Sequence, residues 1–222
     1  MPHFEKRNDA ACLLAASDPV LAQVIERIGP CSLEPNRQAD LFQALLRSII
    51  FQQLHGRAAE AIHARVVALM AQPDAAALQA LPDAPLRAAG LSVNKLLAVR
   101  DLAAKTLNGT IPSVAAAAKL SEDTLIELLT QVRGVGPWTV QMLMIFYLGR
   151  PDIMPADDFG IRRAFGLLYR QGRPVKPASI LRHAKRWRPY RSIASWYLWR
   201  SLDSAPPVEQ QAPERGSRPA AS

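Results

Sequence analysis

Cysteine is nearly absent. Cys12 and Cys31 are the two in 222 residues, and their spacing fits no zinc or redox motif. A disulfide framework is therefore not expected, and nothing suggests an oxidising compartment. No apolar run reaches transmembrane length. The first residues, MPHFEKRNDA, are polar and charged, unlike a secretory signal. A cytoplasmic protein with free thiols is the expectation, nucleoid-associated if the source is bacterial. Strand signals are missing too: no alternating run bounded by turns stands out. There is no internal repeat. Aromatics make only 6% of the chain, and the four tryptophans, Trp138, Trp187, Trp196 and Trp199, all fall in its C-terminal part.

Acidic residues are scarce in one place. Residues 1–149 hold 13 Lys/Arg and 13 Asp/Glu, whereas residues 150–200 hold 12 basic and 3 acidic residues. The net charge of +8 is therefore concentrated in the last quarter. Charge used for solubility would be spread out. A concentrated basic segment reads as a footprint for a polyanion, with a solvated arginine face as the bland alternative.

The remaining pattern is helical. Apolar residues at helical spacing predict helices at about 19–28, 37–52, 56–71, 74–80, 82–89, 94–107 and after Pro112. Others are predicted at 161–169, 177–187 and 190–202. Residues 1–17 read as weakly structured or as a first short helix. The tail 203–222 (DSAPPVEQQAPERGSRPAAS) reads as disordered. The fold class is all-α, of one domain or two small lobes.

Residues 125–163 organise the rest. The helix of Leu125, Leu128, Leu129 and Val132 stops at Gly134-Val135-Gly136, and Pro137 suits the first turn of the next helix. Two glycines separated by one residue permit the positive φ of a tight reversal. Amides of a glycine-rich turn opening a helix make an anion site suited to phosphate. Gly134, Val135, Gly136 and Thr139 are the candidate DNA contacts there. A dinucleotide fingerprint is excluded, because Thr139 stands where its third glycine belongs and a helix precedes the turn. A loop then delivers Asp157 and Asp158 to another helix. One carboxylate is enough for an N-cap. The other lies by a helix N-terminus, whose dipole favours negative charge, and a fixed anion suits a reaction that passes through a cationic sugar. Between two apolar helices, Gln53, Leu54 and His55 either satisfy interhelical groups and core or form a loop tip that probes a base stack.

The ordered set DPVLAQVIERIGP, LFQALLRSIIFQQLHGRAAEAI, GLSVNKLLAVRDLA, VRGVGPWTVQMLMIF, MPADDFGIRRAF and KRWRPYRSIASWYLW resembles the helix–hairpin–helix DNA glycosylases. Within them it is similar to the DNA-3-methyladenine glycosylase II branch, in a short form without the N-terminal sheet domain of longer members. The resemblance covers most of residues 18–202. It implies a two-lobed helical fold with a cleft, one lobe from about 37–145 and the other from the N-terminal helices plus 146–202. It implies hydrolysis of the N-glycosidic bond of alkylated purines such as 3-methyladenine in double-stranded DNA, by a monomer that requires no cofactor.

By position, the resemblance makes Asp158 the catalytic aspartate and Asp157 its structural neighbour. Trp138 stands where strand-cutting members carry a Schiff-base lysine, which implies base release alone. Trp138 and Trp199 match aromatic positions of the base pocket, and Met142 falls where some members have tyrosine. Gln53, Leu54 and His55 match the segment that enters the duplex. Thr130, Val132 and Val135 match positions whose carbonyls hold a monovalent cation against a DNA phosphate. The four cysteines of the relatives' iron–sulfur cluster are absent. Two other readings stay open: a non-catalytic helix–hairpin–helix DNA-binding module, and a glycosylase for deaminated bases, which would need a general acid that the residues do not offer.

Overall fold

The helical periodicity becomes helices, with no strand among the described residues of the computed structural model, which are 2–36 and 40–203. The chain begins with α1 (Pro2–Ser17) and α2 (Pro19–Ile28). The first of these is a 16-residue helix rather than a weakly structured start. Local pattern understated it because burial stabilises it: Ala10 and Leu14 are sealed against the second helix and the C-terminal helix. Asp18 caps α2, accepting from the N–H groups of Val20 and Leu21 at 3.1 Å each.

The middle of the chain forms α3 (Leu41–Phe51), α4 (Gly56–Ala68), α5 (Ala75–Ala80), α6 (Asp83–Ala88), α7 (Val93–Leu107), α8 (Val114–Ala117), α9 (Glu122–Leu129) and α10 (Pro137–Phe146). The helix expected from 37 is seen from Leu41, where Asp40 caps it, and residues 37–39 lie outside the described residues. The last part forms α11 (Phe159–Tyr169), α12 (Pro177–His183), a 3-10 turn over Ala184–Trp187 and α13 (Arg191–Asp203). Asp203 of the expected tail thus closes a helix, and 204–222 lie outside the described residues.

The helices sort into two lobes by what they bury. In one, α3 packs on α4, α7 and α10, α5 and α6 pack on α7, and α9 packs on α10. Leu45, Ile49, Val99, Leu102, Leu125, Leu129 and Met144 fill its core. In the other, α13 packs on α1, α2 and α11 over Leu21, Phe165, Ile180, Trp187 and Leu198. Between the lobes runs the segment from Tyr147 to Asp158, and it is held rather than loose. Arg191 grips Asp152 through Nε at 2.7 Å, and the Ser192 hydroxyl donates to Arg150 O at 2.6 Å while accepting from Ile153 N–H at 3.0 Å. Ile153, Met154, Pro155 and Ala156 are buried. The two aspartates that follow therefore enter α11 from a fixed direction.

Candidate active site

Asp158 is the N-cap of α11: its Oδ1 accepts from Ile161 N–H at 2.8 Å. Sequence reasoning divided the cap and a second fixed anion between two neighbours, and in the structure the capping carboxylate and the one held by further donors are both Asp158. Asp157 is exposed, with no hydrogen bond or ion pair among the described residues. Two indoles hold the same carboxylate. Trp199 Nε1 donates to Oδ1 at 2.8 Å, and Trp138 Nε1 donates to Oδ2 at 2.8 Å. Oδ1 is thus saturated, whereas Oδ2 keeps one lone pair. Since Trp138 lies on α10 and Asp158 heads α11, the carboxylate is where the two lobes meet.

Trp138 also turns a face outward. It is 47% exposed and lines a cavity of about 500 Å³ together with Ser48, Phe51, Gln53, Thr139 and Met142. Met142 is thus part of the wall of this cavity. Trp199 does not line this cavity. Its ring stacks on Phe146, centroids 5.8 Å apart, and it reaches the site through Asp158. Thr139, expected to face DNA, is only 6% exposed and sits in the cavity wall instead.

The hairpin stands beside this cavity. Asp101 accepts from Arg133 N–H at 2.7 Å and so fixes the approach to the turn. Burial works to raise the Asp101 carboxyl, yet hydrogen bonds from Lys105 and the Arg133 amide hold it below its ordinary value. Gly134 takes φ +78, a conformation that favours glycine. Gly136 does not: at φ −102 it is the extended N-cap of α10. The expectation of two positive-φ glycines is therefore met at one. Not all the turn amides are free for an anion either, since Val135 N–H donates to Val132 O at 3.0 Å. The first amides of α10 after Pro137 have no partner within the helix. At the proposed cation site, Val132 O retains one lone pair after that bond, and carbonyl oxygens are the hard donors such an ion takes.

The loop between α3 and α4 reaches the same place. Leu54 is 38% exposed, which removes its reading as core, and Gln53 and His55 are exposed beside it. Gln53 adopts φ +59. Sequence reasoning missed what fixes this loop. Gln52 Nε2 donates to Gly134 O at 3.0 Å, tying loop to hairpin, and Lys95 Nζ donates to the carbonyls of Ile50 and Gln52. It missed Gly160 as well, where a Cβ would stand 2.9 Å from Trp199 Cδ1. The Asp-Phe-Gly-Ile order held that glycine in view, but no sequence signal names the ring that presses on it.

A hairpin whose first helical amides are open, an exposed loop tip beside it and a carboxylate fixed between two indoles define a class: a helical DNA-binding fold with a reactive centre set into it. The comparisons agree. Residues 46–189 match the HhH-GPD superfamily of base excision DNA repair proteins, and the chain belongs to that superfamily. It is 33% identical over 208 residues to DNA-3-methyladenine glycosylase 1 of Schizosaccharomyces pombe, covering 91% of this chain and 90% of that one. The solved structure of that yeast enzyme in complex with abasic DNA superposes with a TM-score of 0.76 at 34% identity, over 88% of this chain and 97% of that one. A DNA-3-methyladenine glycosidase from Bacillus halodurans superposes with a TM-score of 0.79 at 33% identity, over 86% and 88%.

Proposed function

We propose that this chain is a DNA-3-methyladenine glycosylase of base excision repair that releases alkylated purines by hydrolysis and does not cut the strand. The observation that carries the reading is the Asp158 carboxylate, clamped by three donors with a lone pair left on Oδ2, beside a cavity walled by Trp138. The damaged nucleotide rotates out of the duplex. N-alkylation leaves the purine cationic and already a good leaving group, so no strong general acid is needed. As the bond breaks the sugar becomes oxocarbenium-like. Asp158 stabilises that cation, and the spare pair on Oδ2 can orient the attacking water. A unit charge at about 4 Å in an effective dielectric near 20 is worth roughly 4 kcal/mol. That is about a thousandfold in rate.

Trp138 favours a cationic ring over a neutral one by roughly 0.5–2 kcal/mol, so the lability of the lesion supplies much of the selectivity. Base release without strand scission is supported by the cavity wall, which presents indole, thioether, amide and hydroxyl groups and no amine to form a Schiff base. The carbonyls of Thr130, Val132 and Val135 would hold a monovalent cation that bridges the hairpin to a DNA phosphate. One duplex engages one cleft, so a monomer suffices, and it works in the compartment that holds the DNA, which is the cytoplasm if the source is bacterial.

The deciding experiment is a base-release assay on duplexes carrying an alkylated purine, hypoxanthine or uracil. The alkylated duplex should lose its base without strand cleavage, and Asp158→Asn should lower the single-turnover rate about a thousandfold. Unchanged release by the variant would remove Asp158 from the chemistry. Binding without release by the wild type would leave a DNA-binding module.

A further inference from the structure

The outer face of α11 carries a second constructed feature. Phe159, Arg162, Arg163, Gly166 and Leu167 recur at i, i+3, i+4, i+7 and i+8, which is one helix face. The chain after α11 folds back along it. Gly172 N–H donates to Gly166 O at 2.9 Å, and Arg162 Nε donates to Val175 O at 3.2 Å. The approach requires glycine, since a Cβ on Gly166 would stand 2.8 Å from Arg173 O. Between helix and returning loop lies a groove of about 590 Å³.

Its lining has charge of one sign. Arg162, Arg163 and Arg173 border it and no carboxylate does. None of the three enters an ion pair among the described residues. At the end nearest Asp158 stands Phe159, 76% exposed. A merely solvated arginine face needs neither a preformed trough nor a bare phenyl ring. Arginine forks match phosphate oxygens, and an aromatic face suits the sugar or base between them.

We propose that this groove is a further DNA seat. It holds the phosphodiester backbone of the strand that runs away from the nucleotide facing Asp158, with Phe159 against the deoxyribose. The position of that nucleotide rests on the glycosylase reading above. The length fits: the eight helical steps from Phe159 to Leu167 rise about 12 Å, and one strand of DNA rises about 3.4 Å per nucleotide. The face therefore spans about three nucleotides, and the basic excess after residue 150 acquires a specific place of action.

The test is a salt titration of binding to a duplex carrying a tetrahydrofuran abasic analogue, by fluorescence anisotropy. Each phosphate contact contributes about 0.9 to the slope of log K against log salt. Arg163→Ala/Arg173→Ala should flatten that slope by about two, and Arg163→Ala alone by about one. Both side chains are exposed and unpaired, and the matched pair Arg163→Lys/Arg173→Lys should keep the wild-type slope. A wild-type slope in the double alanine variant overturns the proposal. So does an equal loss in the lysine pair, because the effect would then follow local structure rather than charge. If the variants show these slopes but the wild type releases no alkylated base, the groove stands and the glycosylase reading falls.

Discussion

At the scale of single residues, Asp158 caps α11 and is also the carboxylate that two indoles hold. The cap reading of its position holds, and the reaction proposed above would draw on the oxygen that the cap does not use. What the sequence left unread is how the carboxylate is aimed, because aiming depends on rings brought in from residues 138 and 199. Gly160 is part of that aiming. Its missing Cβ admits the Trp199 indole to within hydrogen-bond reach of Oδ1. Gly160→Ala should push the ring away and weaken one bond to a charged group, worth about 1.5–3 kcal/mol. Single-turnover base release should then fall roughly ten- to a hundredfold. The melting temperature should fall only modestly, because alanine is the better helix former by about 1 kcal/mol and so offsets part of the bond that is lost. Trp199→Phe should cause a similar loss, and the double variant should add little to either, since the two changes remove one interaction. Full additivity in that cycle would separate Gly160 from the indole.

At the scale of elements, the helices were legible because apolar spacing pointed to them, and caps such as Ser121 before α9, which accepts from Thr124 N–H, bound them in the structure. The hairpin's existence was legible for the same reason. Its internal wiring was not, because Gly134 and Gly136 look alike in sequence and only backbone geometry separates a positive-φ turn residue from an extended cap. Nor could spacing show that the loop after α3 leans on the hairpin, since the bond from Gln52 to Gly134 O joins residues 82 apart. That bond makes the exposed loop tip and the glycine turn one body. Gln52→Ala removes a neutral hydrogen bond worth about 0.5–1.5 kcal/mol, so global stability should change little. Amide exchange at Gln53, Leu54 and His55 should quicken, and affinity for an abasic duplex should drop while the Asp158 chemistry at saturating enzyme persists. Unaltered exchange at the tip would show that Lys95, which caps the end of α3 through Ile50 O and Gln52 O, is enough to hold the loop.

At the scale of the molecule, the second lobe closes on a buried carboxylate that is also the cap of α2. Asp18, 1% exposed, receives the Tyr169 hydroxyl at 3.1 Å, His183 Nε2 at 2.8 Å and Trp187 Nε1 at 3.0 Å on Oδ2, in addition to the two amides of α2 on Oδ1. These partners lie 151 to 169 residues away. The bonds fasten the N-terminal helices to the elements that follow Asp158, and so hold α11 in place from behind. Burial pushes Tyr169 upward, with the Asp18 charge adding to it, so the phenol stays a donor. For Asp18 itself burial acts to raise the pKa. The bonds from His183, the Leu21 amide, Trp187 and Tyr169 outweigh it, and the carboxyl titrates below its ordinary value of 3.8. A folded pKa below the unfolded one means stability that is fully present above about pH 3.8 and lost as pH falls through the lower folded value. Asp18→Asn turns an amide donor toward three donors and removes the charge. Breaking such a buried arrangement costs about 3–5 kcal/mol, so melting at neutral pH should fall sharply. The gap between wild type and variant should narrow below about pH 3.8, where the wild type loses its own Asp18 contribution. Melting curves taken at neutral pH and in that acid window decide it: a gap of equal size in both would mean that shape, and not the ionised carboxylate, fastens the lobe.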